Sequence, residues 1–170
     1  MNTNFRIATQ QDFKTVCEIF TDAILHMSEL GIQQWDEIYP DQDMLFDDIR
    51  RHQMFVLTEN NIPVSTVVLN EYQDEEYQAI PWHYTDEKTA VVHRLCVSPS
   101  RQKAGLGKKT VLIAEQELIK QGYSSVRLDA FSQNPFALRL YESLGYTKVG
   151  EMHIRKGAFY CYEKRLTVAE

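Results

Sequence analysis

The sequence predicts a single domain of the α/β class, built on a central mixed and mostly antiparallel sheet of about seven strands with helices on both faces. Two observations predict this fold. Short β-rich runs and stretches with helical spacing of apolar residues follow one another in the order β-α-α-β-β-β-α-β-α-β-β. Two pairs of β-rich runs are separated by only three residues each, which is typical of antiparallel hairpins. Because 170 residues suffice to bury one core, we expect residues 1–170 to form one domain.

The sequence up to residue 69 predicts one strand, two helices and a hairpin. Thr9 and Asp12 have the spacing of a helix-capping box, and Gly31 is suited to end the helix that they begin. The predicted elements are a strand over 5–8, a helix over 13–30, a shorter helix over about 41–50, and hairpin strands over 54–58 and 62–69.

The segment from Asn70 to Lys88 has no clean periodicity, so we predict a long loop or an irregular insertion there. It is rich in aromatic and acidic residues. Its carboxylates could attract a cationic amine, although an acidic loop is more often only a solvated surface. The carboxylates in question are those of Glu71, Asp74, Glu75 and Glu76.

The sequence after residue 88 predicts alternating strands and helices, followed by a second hairpin. A glycine turn opens the helix that Gly122 ends. Asn134 and Pro135 are typical of a helix start, and Gly145 is typical of its end. The predicted strands cover 90–97, 125–129, 146–154 and 158–166.

The negative charge of the chain argues against some classes of binding partner. A formal net charge of −6 and a pI near 5.4 argue against nucleic acid or an anionic membrane surface, and they suit a small cationic substrate. No apolar run approaches the length of about 20 residues that a membrane-spanning helix needs. The N-terminus lacks the apolar core of a signal peptide. We therefore expect a cytoplasmic protein.

The chain has three isolated cysteines, Cys17, Cys96 and Cys161. Their spacing fits neither a metal site nor a secreted disulfide scaffold. Because their neighbours are apolar, we expect reduced thiols in the core and no bound metal.

A turn with two glycines, from Gln102 to Gly107, runs from a predicted strand into a predicted helix. Amides at a helix N-terminus bind anions, and glycines let an anion approach them closely. The turn lacks the third glycine of the dinucleotide motif and is too short for a Walker loop. On its own it predicts a phosphate site or merely a tight connection. Four basic residues surround it in an otherwise acidic chain, namely Arg101, Lys103, Lys108 and Lys109.

Two segments of the chain resemble the GNAT superfamily of N-acetyltransferases. The sequence Gln102-Lys103-Ala104-Gly105-Leu106-Gly107 matches the family signature Gln/Arg-x-x-Gly-x-Gly/Ala, which lies between the family's fourth strand and third helix. The segment from Asn134 to Tyr146 is similar to the family's second cofactor motif. The resemblance covers nearly the whole chain. It implies a GNAT-like fold and an acyltransferase that uses acetyl-CoA without a metal.

The resemblance also implies how acetyl-CoA would be bound. The amides from Lys103 to Lys108 would hold the pyrophosphate. The strand Leu95-Cys96-Val97 would pair with the pantetheine arm through the backbone of Leu95 and Val97. Asn134 would form a hydrogen bond with the same arm, and Lys108 or Arg139 would reach the ribose phosphate.

Attack by an amine on a thioester needs a proton acceptor for the amine, and it gains from an acid beside the departing thiolate. Tyr141 occupies the position of the family's tyrosine beside the cofactor sulfur, so it is the candidate acid; the alternative is a tyrosine packed in the core. His93 is the candidate base, because strand alternation would place it on the same face as Leu95. Its segment is similar to that of arylalkylamine acetyltransferases, where a histidine on this strand joins the proton path. A structural histidine, with ordered water as the base, is the alternative.

The linker between the first two predicted helices contains Trp35 and Tyr39. In GNAT folds this region lines the acceptor side of the cleft, so the two residues could form an aromatic wall for the substrate. They could equally anchor the linker to the core.

The predicted function is transfer of an acetyl group from acetyl-CoA to the primary amine of a small molecule. A protein or peptide amine is the nearest alternative acceptor, and a non-catalytic CoA-binding module is a further alternative. The terminal hairpin could form a homodimer, as in many members of the family.

Overall fold

A computed structural model describes residues 2–85 and 88–168. The strands are β1 (Thr3–Ile7), β2 (Met54–Glu59), β3 (Ile62–Asn70), β4 (Thr89–Val97), β5 (Ser125–Phe131), β6 (Thr147–Ile154) and β7 (Gly157–Arg165). The helices are α1 (Phe13–Glu29), α2 (Gln42–Arg50), α3 (Leu106–Lys120) and α4 (Pro135–Ser143). Short 3-10 helices cover Gln10–Asp12, Glu75–Ala79 and Pro99–Arg101.

The seven strands form one sheet in the order β1-β2-β3-β4-β5-β7-β6. The pairs β1 with β2, β2 with β3, β5 with β7 and β6 with β7 are antiparallel, whereas β4 and β5 run parallel. The order of strands and α-helices along the chain is the predicted one. The predicted fold class, a mixed and mostly antiparallel sheet with helices, is therefore confirmed.

The predicted helix signals lie where the helices begin and end. The Thr9 and Asp12 capping box is formed, and Asn134 caps α4 by accepting a hydrogen bond from the Ala137 amide. Gly31 and Gly145 have positive φ angles just after their helices, a conformation that glycine adopts without a steric penalty.

β5 and the insertion differ from the prediction in detail. β5 continues to Phe131 because its register with β7 extends that far. The predicted insertion contains the 3-10 helix Glu75–Ala79, in which Tyr77 is buried. The insertion is therefore partly ordered by a core contact that its irregular sequence pattern does not reveal.

The chain divides into two compact units. The first runs to Leu69 and includes Arg94–Ile113, and the second comprises Asn70–His93 and the chain from Ala114 onward. The expectation that residues 1–170 act as one domain stays a prediction.

The core of the first unit lies where one face of α1 packs on α2 and on the strands. Val16, Ile19, Phe20 and Ala23 recur at helical spacing and are buried on this face. Their partners are Leu45, Ile49, Met54, Val56, Val68 and Cys96. The Cys96 thiol is therefore a core group, and burial raises its pKa.

The core of the second unit is rich in aromatic rings. The rings of Phe131 and Phe159 lie 5.2 Å apart between centroids, and Tyr141 contacts the rings of Tyr146 and Tyr162. Cys161 is also buried here. Of the other two free thiols, Cys96 is buried in the first unit and Cys17 is only partly buried.

No helix in the described part of the chain is long and apolar enough to cross a membrane.

The junction between β1 and α1 depends on Asp12, which is 6% exposed. Its carboxylate accepts two hydrogen bonds from the Arg6 guanidinium, at 2.7 and 2.9 Å, and one from the Thr9 amide at 2.8 Å. The Arg6 hydrogen bond in particular lowers the pKa of Asp12 from its usual value. The charged form of Asp12 therefore stabilises the start of α1.

Replacing Asp12 by Asn should lower the free energy of unfolding at pH 7 by about 1–2 kcal/mol. Because the folded pKa lies below the unfolded value of 3.8, this stabilisation is present above that value. It is lost as the pH falls through the folded pKa, so wild type and variant should converge in strong acid. Urea denaturation across the acid range measures the difference. An equal loss in the Asp22→Asn variant, which changes an exposed carboxylate of α1, would contradict this assignment.

Candidate active site

The turn before α3 presents a row of backbone amides to solvent. Lys103 and Gly105 have φ angles of +66° and +73°, and residues 102–105 are exposed. The Lys109 amide makes a helical bond, at 3.0 Å, to the Gly105 carbonyl. The amides of Leu106, Gly107 and Lys108 therefore precede the helical ladder and point out of the N-terminus of α3. Left-handed residues in such a turn make a concave set of N–H donors that suits an anion.

Contacts within the first unit hold this turn in place. Leu106 is buried against Leu57 and Val64, which fixes the first residue of α3. The Gln102 side chain donates to the Val97 carbonyl at 3.4 Å and so connects the turn to the end of β4. The donor positions are therefore set before any ligand binds.

The predicted basic cluster around the turn is only partly available to an anion. Arg101 forms an ion pair with Glu59, and Lys109 donates a hydrogen bond to the Thr3 hydroxyl. Through these contacts, the two cationic side chains connect the turn to β2 and α3 to β1. Lys103 and Lys108 are exposed, so they are the candidates for neutralising a phosphate.

β4 pairs with β5 over a short stretch only. The register pairs are Thr89 with Ser125, Ala90 with Val126 and Val91 with Arg127. Among the described residues, Val92 and His93 have no register partner on β5. A strand that outruns its ladder in this way can pair with an extended ligand.

The regular alternation assumed for β4 is wrong at Arg94. This residue has a φ angle of +50°, in the left-handed region that non-glycine residues rarely adopt. A strand with such a residue does not keep period two across it. The argument that His93 and Leu95 share a face therefore loses its geometric basis.

His93 is held by acceptors from the insertion. Its Nε2 atom lies 2.9 Å from the Asn70 Oδ1 atom and 3.1 Å from the Tyr72 carbonyl oxygen. Because both neighbours accept, the proton of a neutral His93 belongs on Nε2. His93 is half-buried.

The side chain of Arg94 forms a nearly buried ion pair in the first unit. It donates to both carboxylate oxygens of Asp48 at 2.8 Å, and the two side chains are 10% and 9% exposed. It also donates to the Tyr39 hydroxyl at 2.9 Å. Burial raises the pKa of Asp48, although the Arg94 charge opposes this shift.

The two predicted substrate residues have different surroundings. Tyr39 is fixed through its hydroxyl by Arg94, whereas Trp35 packs its ring 5.3 Å from that of Phe20 at the edge of the core. The contact of Trp35 supports the anchoring interpretation for this residue.

The predicted cofactor residues of α4 lie at its start and on its surface. Asn134 uses Oδ1 to cap the helix at 3.1 Å, so its Nδ2 atom is not part of this cap. Arg139 is exposed, with its guanidinium 5.3 Å from the centre of the Phe136 ring.

Tyr141, the candidate acid, is buried in the second unit. Burial, and secondarily the charge of Asp129, raise its pKa above the ordinary value. Its phenol therefore stays protonated at neutral pH. A protonated phenol can donate to a thiolate, and the same burial also fits a packing role.

Asp129 and Tyr77 are candidate functional residues that the sequence analysis missed. The Tyr77 hydroxyl donates to the Asp129 carboxylate at 2.7 Å across 52 residues of sequence. Asp129 lies in the otherwise mostly apolar strand β5, and this carboxylate in a buried strand is the one signal that could have revealed it.

The insertion is also held by a buried carboxylate. Glu163 on β7 accepts hydrogen bonds from the amides of His83 and Tyr84, and it pairs with the His83 ring at 2.5 Å. Arg127 donates to Gln73 and to the Tyr84 carbonyl. These contacts fix the backbone that carries Tyr77.

The predicted site residues are divided between the two units. The first unit holds the turn, Leu95 to Val97, Trp35 and Tyr39. The second unit holds His93, Asn134, Arg139 and Tyr141. Within the described residues, no cluster of three or more His, Cys, Asp or Glu side chains is arranged to hold a metal ion.

Residues 16–146 match the model of the acetyltransferase (GNAT) family. Among curated proteins, the chain is 24% identical over 169 residues to an S-(2-succino)cysteine N-acetyltransferase of Bacillus subtilis, covering 97% of this chain and 96% of that protein. It is 25% identical over 152 residues to an L-methionine sulfoximine/L-methionine sulfone acetyltransferase of Salmonella typhimurium, covering 86% and 81%.

Solved structures show the same fold. A GNAT-family acetyltransferase from Streptococcus agalactiae superposes with a TM-score of 0.84 at 21% identity, over 96% of this chain and 95% of the other. An acetyltransferase from Salmonella typhimurium, solved with its cofactor acetyl-CoA, superposes with a TM-score of 0.73 at 21% identity, over 100% and 97%. Because the family match also spans well over half of the sequence, the chain belongs to the acetyltransferase (GNAT) family and is an acyltransferase.

Proposed function

We propose that this protein transfers the acetyl group of acetyl-CoA to the primary amine of a small molecule, by direct attack in a ternary complex. The observation that best supports binding of acetyl-CoA, the acetyl donor, is the turn before α3. It combines left-handed backbone at Lys103 and Gly105 with amides that precede the helical ladder. These groups are donors, and they suit a pyrophosphate.

The turn also has room for such a ligand. A Cβ atom built on Gly105 would meet no heavy atom within 4 Å. In our proposal the pyrophosphate occupies this side of the turn, with Lys103 and Lys108 as counter-charges. Lys108 or Arg139 reaches the ribose phosphate.

The pantetheine arm is proposed to add to β4 as an extra strand. Backbone N–H and C=O groups of Leu95 and Val97 would pair with its amides. Cys96 would take part through its backbone only, because its thiol is buried in the core. Asn134 would form a hydrogen bond with the same arm.

Two observations support a small amine as the acceptor. Both curated relatives described above are named for amino-acid derivatives, S-(2-succino)cysteine and methionine sulfoximine or sulfone. The formal net charge of −6 also argues against nucleic acid or an anionic membrane surface as the main partner. An amino-acid-like primary amine is therefore the acceptor class that we propose first. The homodimer through the terminal hairpin stays a prediction.

Two side chains of the second unit would handle the protons. Acetyl-CoA supplies the acetyl group as an activated thioester. His93 would accept the amine proton, directly or through ordered water. Tyr141 would donate its phenolic proton to the departing sulfur.

The turn is tested by a matched pair of glycine variants. Gly105 and Gly122 flank α3, both have positive φ angles, and neither has a neighbour within 4 Å of a built Cβ. Alanine at either position should cost about 1 kcal/mol of stability through backbone strain. Only Gly105→Ala should weaken CoA binding, by about tenfold or more, because the turn amides shift or the methyl group fills the phosphate side. Calorimetric titration with CoA measures this, and equal affinities of the two variants would refute the assignment.

The acid is tested with Tyr141→Phe. We expect kcat to fall by about 100-fold with CoA affinity unchanged, because only the departing sulfur loses its proton donor. Since its pKa is raised, Tyr141 stays in the proton-donating form as the pH rises, so the wild type should show no alkaline loss of kcat from this group below about pH 10. The matched control is Tyr146→Phe, a neighbouring buried tyrosine whose ring lies 5.5 Å away. A wild-type kcat in Tyr141→Phe would exclude the role.

The overall function is tested by a thiol-release screen with acetyl-CoA. The panel comprises amino acids and their sulfur derivatives, simple amines, polyamines, aminoglycosides and peptides. Release of CoA with a small primary amine is the expected result. The proposal fails if wild type does not bind CoA, or if only peptides and proteins accept the acetyl group.

A further inference from the structure

Arg94 has left-handed backbone geometry within β4, with a φ angle of +50°. A residue with a Cβ atom has a steric cost in this conformation, so other contacts must maintain it. The residues that follow directly are Leu95 and Val97, whose backbone groups we assign to the pantetheine arm. The peptide group between Arg94 and Leu95 is planar, so the backbone angles of Arg94 set the direction of the Leu95 N–H group.

Two side chains of the first unit hold the Arg94 side chain. Its Nε atom and one terminal nitrogen donate to the two carboxylate oxygens of Asp48, both at 2.8 Å. The other terminal nitrogen donates to the Tyr39 hydroxyl at 2.9 Å. All three guanidinium nitrogens therefore have an acceptor. Because the Arg94 and Asp48 side chains are nearly buried, water competes little for these bonds.

Asp48 is itself fixed by the packing of α2. Leu45, Asp48 and Ile49 have the spacing that places side chains on one face of a helix. Leu45 and Ile49 are buried in the core of the first unit. The carboxylate of Asp48 therefore has a fixed position, and the guanidinium must reach it from β4.

The backbone after Arg94 is anchored separately. Cys96 is buried in the same core, and the Ser98 amide donates to the Val64 carbonyl at 2.9 Å. Leu95 lies between this anchor and Arg94. The orientation of the Leu95 N–H and C=O groups therefore depends on the conformation of Arg94.

We propose that Arg94 and Asp48 are positioning residues for acetyl-CoA. Their ion pair keeps the Arg94 backbone left-handed, and this conformation orients the backbone groups of Leu95 for pairing with the pantetheine arm. The inference rests on the proposed function and adds the side chains that preset the pairing strand. A preset strand loses less conformational entropy when the ligand binds. Loss of the ion pair should therefore weaken CoA binding more than it slows the chemical step.

The deciding experiment compares Arg94→Gly with Arg94→Ala. Both are made together with Asp48→Asn, so that no buried carboxylate is left without its cation. Glycine adopts a positive φ angle without a steric penalty, whereas alanine resists it. In calorimetric titration with CoA, the alanine protein should bind about tenfold or more weakly than wild type, and the glycine protein should bind about fivefold more tightly than the alanine protein.

A role in stability alone would give a different result. Loss of packing would lower the melting temperature of both proteins but leave their affinity for CoA at the wild-type value, and this outcome overturns the proposal. Equal weakening in the glycine and alanine proteins also overturns it, because the backbone conformation then has no part in binding. In steady-state kinetics, KM for acetyl-CoA should follow the same order as the affinities, with kcat changing much less. A fall in kcat with that KM unchanged contradicts the assignment.

Asp48→Asn on its own tests the ion pair while the Arg94 side chain is present, and it decides the matter if the double variants do not fold. Asparagine loses the two-pronged, charge-assisted pairing, so CoA affinity should fall by about threefold or more. An unchanged affinity overturns the proposal. The matched control is Asp47→Asn on the same helix, whose carboxylate pairs with Arg50 and Arg51 at the surface. It should bind CoA as wild type does, and an equal loss would indicate a general effect of charge and overturn the assignment.

His52 provides the control for the comparison of glycine with alanine. It is exposed, follows α2 and has a φ angle of +57°. His52→Gly and His52→Ala should differ in stability and bind CoA equally well. A difference in affinity as large as that at Arg94 would overturn the proposal. A wild type that does not bind CoA is a separate result, because it refutes the proposed function before Arg94 is tested.

Discussion

The constraint on which the site depends is the short parallel ladder between β4 and β5. A backbone that leaves a sheet must find other partners for its N–H and C=O groups, since unpaired buried groups are costly. β4 continues to Val97 although its register with β5 ends at Val91. A strand in this state is suited to a ligand that itself has alternating amide donors and acceptors. The cofactor arm proposed here is such a ligand.

The departure of β4 from regular geometry has an identifiable cause. Arg94 adopts a left-handed φ angle that costs a non-glycine residue roughly 1–2 kcal/mol. Its guanidinium makes a two-pronged ion pair with Asp48 and a third hydrogen bond to Tyr39. These contacts require Arg94 to turn its side chain into the first unit, and they offset the strain. Residues kept in such conformations are frequent at functional sites, where the surrounding contacts over-determine them.

The insertion before β4 has a comparable dependence on one buried group. Glu163 satisfies two amides of the insertion, and Tyr77 inserts its ring into the core of the second unit. A segment with no periodicity is thereby fixed by backbone donors and one aromatic side chain. His93 and Asp129 both receive hydrogen-bonding partners from it, so the insertion determines the surroundings of both groups.

The local features of the fold could be predicted from the sequence because their causes are local. Capping by Thr9 and Asn134, the glycine after α1 and the two hairpins depend on residues within a few positions of one another. The interaction of Arg94 with Asp48 spans 46 residues and has no periodic signature. The expectation that His93 and Leu95 share a face lost its geometric basis for the same reason, because the side chain of Arg94 is held by a partner distant in sequence.

The difference between local and long-range contacts also explains why the acetyl donor can be inferred from the sequence and the acceptor amine cannot. The proposed phosphate contacts are consecutive backbone amides, and a contiguous motif with glycine at a left-handed position encodes them. The side-chain contacts of the second unit instead join separate segments. Asp129 on β5 accepts a hydrogen bond from Tyr77 of the insertion, and the backbone of Tyr77 is fixed by further contacts. Groups assembled in this way have no contiguous signature, so an acceptor site built from them cannot be read from a motif.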